Sequence, residues 1–171
     1  NEKATQNEKA SLFGFEFFYK KEKIISNLGE INNSKNKNIK NSLSSTAAHS
    51  SLSIDDRNNI DLTGRRITKI SNIQYGKTKD GNLLDATHSG YETIFGVHHK
   101  RQIYLSNKKN EIRGRDEILN IGNIGSIPKN AYIRFHTCPG TELIKTRSGS
   151  VLLNHHKGFV WKMSSNINNI S

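Results

Sequence analysis

Short segments in which apolar and polar residues alternate recur along the whole chain, and they constrain its fold more than any other feature. Period-two alternation with β-branched and aromatic residues is typical of strands that bury one face. No convincing amphipathic helical pattern interrupts these segments. They predict an all-β antiparallel β-sandwich of two stacked sheets with about 10–11 short strands. The predicted strands are Leu12–Tyr19, Lys23–Asn27, Ser50–Asp55, Arg66–Tyr75, Leu83–Ser89, Gln102–Ser106, Glu111–Glu117, Ala131–Thr137, Glu142–Thr146, Ser150–Leu153 and Gly158–Lys162.

Residues that tolerate a left-handed backbone separate several of these segments, as hairpin turns require. They predict hairpins at Lys79–Asn82, Ser106–Asn110 and Arg147–Ser150. The segment Asn32–Asn41 is different, because it is an Asn/Lys run with almost no apolar anchor. It predicts a surface loop that overhangs the face carrying His49.

The length and composition of the chain favour one domain with a thin core. The chain has 171 residues, 33% hydrophobic residues and a mean hydropathy of −0.70, which suits sheets with one wet face. We predict a β-sandwich domain over residues 10–163, with frayed tails at 1–9 and 164–171. Cys138 is the single cysteine, so no internal disulfide is possible and we predict a buried, inert thiol.

The charge of the chain has two explanations: a base-composition bias that enriches lysine, asparagine and isoleucine, or selection for polyanionic partners. The formal net charge is +11, and basic proteins attract acidic polysaccharides and nucleic acids. The lysines are scattered and no nucleic-acid motif is present, so we predict no specific nucleic-acid partner. No apolar run is long enough to span a membrane, and this chain contains no signal-peptide pattern.

The segment Ser45–Asp56 presents His49 at the start of an alternating strand, behind small residues that let another backbone or a ligand approach. Such an imidazole either lines a binding site or donates to a backbone carbonyl between strands, and the sequence leaves both open. His88 and Tyr91 have a similar ambiguity. They either contact sugar at a strand end, or the tyrosine closes a sandwich corner with its hydroxyl hydrogen-bonded.

The densest cationic cluster is His98-His99-Lys100-Arg101. Neighbouring strand residues point to opposite faces, so His99 with Arg101, or His98 with Lys100, could meet a carboxylate or sulfate. A guanidinium suits this because it binds such groups through two donors. The alternative is a solvated face paired with Asp116 or Glu117. Among the other aromatic side chains, we predict that His136 is structural, that His155 and His156 are exposed in a hairpin turn, and that Trp161 packs in the core beside Phe159.

These motifs, taken in order, resemble the C-terminal β-domain of the heparinase II/III-like polysaccharide lyases. The individual motifs are short, but their order and spacing from about Ala10 to Lys162 are specific. The matching pieces are Leu12–Phe17, Ile24–Gly29, Thr46–Ser51, His88–Tyr91, His98–Arg101, Arg115–Asp116 and Ile133–His136.

The resemblance implies an expected function. In this family a helical toroid precedes the sandwich, and the lyases cleave uronic-acid polysaccharides by β-elimination with a proton-accepting base and a proton-donating acid. Most catalytic groups come from the toroid, and one histidine comes from the opening segment of the sandwich. This chain has no histidine near Asn7. We therefore expect the sandwich portion of a lyase that is incomplete or inactive alone, with an anionic polysaccharide as partner and the periplasm or cell envelope as location. The alternative is a non-catalytic carbohydrate-binding or structural sandwich.

The resemblance also implies where a zinc ion would lie. Metal-bearing members hold zinc with a histidine of the opening segment, an aspartate and the histidine that matches His49. Asn27 stands at the aspartate position and Lys9 or a neighbour at the first histidine. An amide is a poor zinc ligand and a lysine is a worse one, so we expect no family-type zinc site and no cofactor.

Two further expectations follow from the resemblance. The family's domain continues beyond the strand that contains Trp161, so unpaired edge strands favour self-association. The substrate-binding residues that we expect are His49, His88, Tyr91, His99 and Arg101.

Overall fold

The chain folds almost entirely into short antiparallel strands. A computed structural model describes residues 9–28, 36–122 and 125–167, and twelve strands lie within these ranges. The strands are β1 (Phe17–Tyr19), β2 (Glu22–Ser26), β3 (Leu52–Ile54), β4 (Ile70–Lys77), β5 (Gly81–His88), β6 (Val97–Ser106), β7 (Ile112–Asn120), β8 (Ala131–Ile133), β9 (His136–Thr137), β10 (Thr141–Lys145), β11 (Val151–His155) and β12 (Phe159–Met163).

Hydrogen bonding groups these strands into four antiparallel sheets. The largest is the meander β4-β5-β6-β7, and the others are β1-β2-β9, β10-β11-β12 and the pair β3-β8. The prediction of an all-β antiparallel fold is confirmed. The hydrogen-bonded sheets are smaller and more numerous than the two that were expected, because several strands are only two to five residues long.

Each predicted strand has a counterpart, and the three predicted hairpin turns join β4 to β5, β6 to β7 and β10 to β11. Two predicted strands are shorter or divided. Leu12–Tyr19 is extended only at β1, because the N–H of Gly14 turns back to the carbonyl of Ser11 at 3.0 Å. Ala131–Thr137 divides into β8 and β9, which pair with different partners, β3 and β2.

The expectation of no helix was wrong at two places, α1 (Lys37–Ser44) and α2 (Glu92–Phe95). Helix α1 occupies most of the described end of the predicted Asn32–Asn41 loop. It forms because the side chain of Asn36 accepts hydrogen bonds from the N–H groups of Asn38 and Ile39 and so caps its first turn. No helix within the described residues is long and apolar enough to cross a membrane.

Parts of three predictions lie outside the described residues: 1–8 of the N-terminal tail, 29–35 of the loop region, and 168–171 of the C-terminal tail. The self-association prediction therefore stays a prediction, as do the domain boundaries.

Two apolar clusters fill the interior. In the first, Leu52 and Ile54 of β3 pack with Tyr91, Phe95 and Val97 around α2 and the start of β6. In the second, the aromatic cluster, β1 and β2 pack against β10-β11-β12; its members are Ile24, Ile25, Leu153, Phe15, Phe17, Tyr19, Phe159, Trp161 and Met163. Phe159 and Trp161 therefore pack in the core, as the sequence predicts.

Candidate functional site

The segment that carries His49 is held against two other chain segments by its small side chains. A single 3-10 turn, Thr46–Ala48, precedes His49. The hydroxyl of Ser50 then donates to the carbonyl of Ser26 at 2.6 Å, and that of Ser51 donates to the carbonyl of Leu12 at 2.7 Å. The run of small residues thus admits neighbouring backbones, as the sequence indicated.

His49 itself is buried, with 2% of its surface exposed. Neither ring nitrogen has a hydrogen-bond partner among the residues that the structure describes. Gly14 lies against this side chain, since a Cβ there would stand 3.3 Å from the Cβ of His49. Burial lowers the pKa of His49, and the positive charges of Lys9 and His136 lower it further. The imidazole is therefore held neutral.

The residues around His49 do not fit the zinc ion that the family resemblance implies. The amide oxygen of Asn27 already accepts the N–H of Ser50 at 2.8 Å. Lys9 is close enough to lower the pKa of His49, and a cation there opposes a metal ion. One imidazole, one engaged amide oxygen and one ammonium do not make a zinc ligand set.

Arg101, on β6, joins three segments of the chain and is 5% exposed. Its Nη1 donates to the carbonyl of Phe13 at 2.8 Å and to the carbonyl of Ser50 at 2.9 Å. Its Nε and Nη2 donate to the two carboxylate oxygens of Asp116 on β7, at 2.7 and 3.1 Å. Four of the five guanidinium N–H groups are thereby used. They fix both the opening segment, Leu12–Phe17, and the His49 segment, Thr46–Ser51, to the meander.

A chain of hydrogen bonds runs from Asp116 through His99 to His88 and ends at a backbone amide. The N–H of Gly90 donates to Nδ1 of His88 at 3.0 Å, so the ring proton of His88 is on Nε2. That proton is donated to Nδ1 of His99 at 3.0 Å, and Nε2–H of His99 donates to Asp116 at 2.6 Å. One backbone N–H therefore sets both tautomers. We call Arg101, Asp116, His99, His88 and Gly90 the buried polar network.

The electrostatics of the buried polar network favour neutral histidines and a charged carboxylate. Burial lowers the pKa of His88 to about 2 and also lowers the pKa of His99, against the opposing effect of Asp116. Burial would raise the pKa of Asp116, but hydrogen bonds from His99 and Arg101 outweigh it, so this pKa lies below its ordinary value. The network thus carries one buried ion pair, Arg101 with Asp116.

The space around position 90 admits only glycine. A Cβ at this position would lie 2.0 Å from the carbonyl oxygen of Asn59, which is closer than any side chain can approach. The next residue, Tyr91, is fully buried and its hydroxyl donates to the carbonyl of Leu52 at 3.0 Å. Burial raises the pKa of this hydroxyl. The geometry is that of a tyrosine that closes a corner of the sandwich.

The structure brings four of the five predicted site residues together, but in the interior. His88, His99 and Arg101 belong to the buried polar network, and the ring of Tyr91 lies 5.8 Å from that of His88. His49 is next to Ser50, which Arg101 binds. Direct contact with sugar stays a prediction for all five residues, and their burial gives them a positioning role in this structure.

Two expectations about histidines need correction. The face shared by His99 and Arg101 pairs with Asp116, which was one of the alternatives. That face is buried and not solvated, because Phe13 of the opening segment covers it. His155 is 3% exposed and ends β11, so it was wrongly placed in an exposed turn; His156 is in the turn and exposed. The ring Nε2–H of His136 donates to the carbonyl of Ala47 at 2.9 Å.

Sequence reasoning missed the residues that complete the buried polar network. Phe13, Ser50 and Gly90 contribute through backbone groups, which no residue pattern reveals. Asp116 was named as one possible partner of the face shared by His99 and Arg101, and the burial of Arg101 is what requires a carboxylate there. Two open surface clefts contain none of the five predicted residues; one includes Asp61, Arg66 and Ile94, and the other includes Asp80, Tyr104 and Arg113.

The fold and the buried polar network define an all-β domain that holds several loop segments on an antiparallel meander. Residues 2–169 match the family model described as "Heparinase II/III-like, C-terminal". The chain therefore belongs to the heparinase II/III-like C-terminal family. No curated protein sequence matches it.

Two solved structures have a similar fold. Heparan sulfate lyase HepC from Pedobacter heparinus is 19% identical, with a TM-score of 0.70, over 89% of this chain and 22% of that one. A mutant of the same lyase is 20% identical, with a TM-score of 0.68, over 86% of this chain and 22% of that one. The chain thus spans about a fifth of the length of the lyase that it resembles.

Proposed function

We propose that this chain is the β-sandwich portion of a polysaccharide lyase that acts on an anionic, uronic-acid-containing glycan in the periplasm or cell envelope. The observation that carries the proposal is the fixation of the opening segment and the His49 segment by Arg101. We expect these segments to face the glycan in the complete lyase, so that the sandwich would act as a rigid wall of the binding groove.

We do not expect this chain to catalyse β-elimination by itself. β-Elimination needs a group that neutralises the uronate carboxylate, a base for the α-proton and an acid for the leaving oxygen. The histidines and the tyrosine of the candidate site are buried and neutral. We therefore expect a separate helical domain to supply the proton transfers, while the basic surface attracts the glycan.

Binding and product release test the proposal together. The chain is passed over immobilised heparan sulfate, alginate and a neutral glucan at several salt concentrations. We expect salt-sensitive retention on the anionic glycans and no formation of unsaturated uronate, followed by its ultraviolet absorbance. If the chain were retained on neither heparan sulfate nor alginate, the proposal would be contradicted. Release of product would contradict the expectation that the chain is incomplete.

A second candidate function is a non-catalytic carbohydrate-binding or structural sandwich. The observation that favours it is that Asn27, and Lys9 or a neighbour, stand where the resemblance implies zinc ligands. A domain exchange distinguishes the two functions: this chain replaces the matching region of HepC. Retained lyase activity supports the lyase portion, and retained glycan binding without activity supports the non-catalytic sandwich. Strong salt-dependent binding to DNA without glycan binding would instead favour a nucleic-acid partner.

A further inference from the structure

Three turns come close together beside the aromatic cluster. The two-residue turn Lys20-Lys21 joins β1 to β2, residues 156–158 join β11 to β12, and Pro139-Gly140 lead from β9 into β10. Glu22 begins β2, and His155 and His156 end β11 and enter its turn. One possible ligand atom from each of these three side chains lies within 4.8 Å of the other two.

The geometry points to a binding site for a divalent transition-metal ion, with zinc as the best match, formed by Glu22, His155 and His156. Two imidazoles and one carboxylate make a common zinc ligand set with an open fourth position. Calcium and magnesium prefer sets composed of oxygen ligands, which this site does not offer. The site uses neither His49 nor Asn27, the positions at which the family resemblance implies zinc ligands.

His155 is the preorganised ligand of this site. Its ring stacks with that of Phe159, at 4.5 Å between centroids, and with that of His156, at 4.2 Å. Phe159 in turn contacts the edge of Tyr19 at 5.4 Å, beside the β1–β2 turn. These ring contacts hold the hairpin that carries Glu22 against the hairpin that carries the two histidines, so the three ligands come from elements already packed together.

Glu22 and His156 supply the movement that coordination requires. Ligand atoms of a tetrahedral zinc site are roughly 3.3 Å apart at bond lengths of about 2.0–2.1 Å, so the present separations must shorten. Glu22 is half-buried and His156 is exposed, and both are able to rotate toward the fixed ring of His155. Gly140 leaves room for this, since a Cβ there would already stand 3.3 Å from Nδ1 of His156.

An unsatisfied polar atom beside His155 supports the site independently. Thr141 is directly opposite His155 in the β10–β11 ladder, so the two side chains share a face. The hydroxyl oxygen of Thr141 is buried and has no hydrogen-bond partner within the described part of the chain. A buried polar group without a partner is costly, and a metal-bound water would satisfy it.

Zinc titration into the intact, chelator-treated chain tests the site by calorimetry. We expect one zinc ion per chain, and at least about tenfold weaker binding for E22Q and for H156Q, because each removes one ligand. Both side chains are at turns, so these variants should keep the circular dichroism spectrum and melting temperature of the metal-free protein. His155 is left unchanged because its substitution would disturb the aromatic cluster.

The matched controls are E92Q and H98Q, which alter another histidine–glutamate pair, joined at 2.8 Å between α2 and β6. We expect both controls to bind zinc like the parent chain. Unchanged affinity in E22Q and H156Q would overturn the site, as would an absence of zinc binding. Loss of binding in H49Q, with E22Q unaffected, would also overturn it and would place the metal at the position used by the family.

A local readout separates coordination from a nonspecific effect. The backbone N–H of Lys157 donates to Nδ1 of His155 at 3.2 Å. A metal ion on either ring nitrogen disturbs this bond, directly or by moving the ring proton to Nδ1. We expect the amide resonance of Lys157 to shift on zinc addition in the parent chain and to shift less in H156Q. An unperturbed amide at saturating zinc would contradict the assignment.

Discussion

The two sides of this molecule are held together by different forces. Around Arg101, three segments meet at a buried ion pair and two neutral histidines, and nearly every contact is a directed hydrogen bond. Around Trp161, β1 and β12 meet through edge-on aromatic rings, with 5.0 Å between the centroids of Phe17 and Trp161. The hydrogen bonds of the first region are directional and determine which backbone groups are in contact. The apolar contacts of the second region exclude water and do not depend strongly on orientation.

This difference assigns different tasks to the two regions. The buried polar network fixes irregular segments, the turn at Phe13 and the approach to His49, which have no strand ladder to hold them. The aromatic cluster joins elements that are already regular hairpins. An apolar contact tolerates small changes of position, but a buried charge left without its partner is strongly destabilising. The network should therefore be the more fragile of the two regions.

The largest expected effect is that of R101M. The substitution leaves Asp116 buried without its ion-pair partner and the carbonyls of Phe13 and Ser50 without donors, so the free energy of unfolding should fall by about 3–5 kcal/mol. Urea titration followed by circular dichroism measures it. The matched control is R115M on β7, whose side chain is 71% exposed and should cost less than about 1 kcal/mol. Equal losses in the two variants would contradict the central role of Arg101.

A smaller effect is expected when the aromatic cluster is opened. F17A removes the ring that meets Trp161 and should cost about 2 kcal/mol, because Phe17 is only half-buried. F18A is the control, since Phe18 is 53% exposed and its loss should cost less than about 1 kcal/mol. The same urea titration applies. If F17A proved as damaging as R101M, the contrast between the regions would fail.

A more gradual effect is a loss of stability in mild acid. The pKa of His88 is about 2 in the folded chain and 6.5 in its ordinary state. Below pH 6.5 this histidine is therefore protonated in the unfolded chain but stays neutral in the folded chain. Stability should be level above about pH 7 and fall below 6.5, by up to about 1.4 kcal/mol per pH unit for each such histidine. His99 and Asp116, whose pKa values are also lowered, act in the same direction.

Melting curves between about pH 5 and pH 8 measure this dependence. H88Q removes one titrating group, so its stability should fall less steeply with acid than that of the parent chain. A stability that stays level down to pH 5 would show that the histidines are accessible to protons in the folded state.

The strands were the predictable part of this fold. Period-two alternation located each of them, and asparagine and glycine marked the hairpins, because these signals are local. Helix α1 was missed since its sequence, KNIKNSLS, contains few strong helix formers and depends on the side-chain cap at Asn36. The division into four sheets also lay beyond the sequence, because long-range pairing such as that of β3 with β8 leaves no local pattern.

The candidate site was predictable in its members but not in its burial. Alternation along β6 placed His99 and Arg101 on one face, and Asp116 was recognised as one possible partner. What covers that face is the backbone of Phe13, which bends into a left-handed conformation with φ 56°. Such a contact depends on the path of the chain and not on residue type. His155 was misplaced for a similar reason, because its burial comes from stacking against Phe159 across the hairpin.

The most direct test concerns the claim that one backbone amide fixes a chain of neutral histidines down to Asp116. Long-range proton–nitrogen NMR spectra of the native protein near pH 6 report the protonation and tautomer of each imidazole. We expect His88 and His99 to be neutral, with the proton on Nε2 in both rings and no titration until the protein unfolds. A ring that carries its proton on Nδ1, or that titrates near its ordinary pKa, would contradict the buried polar network and the support it gives to the His49 segment.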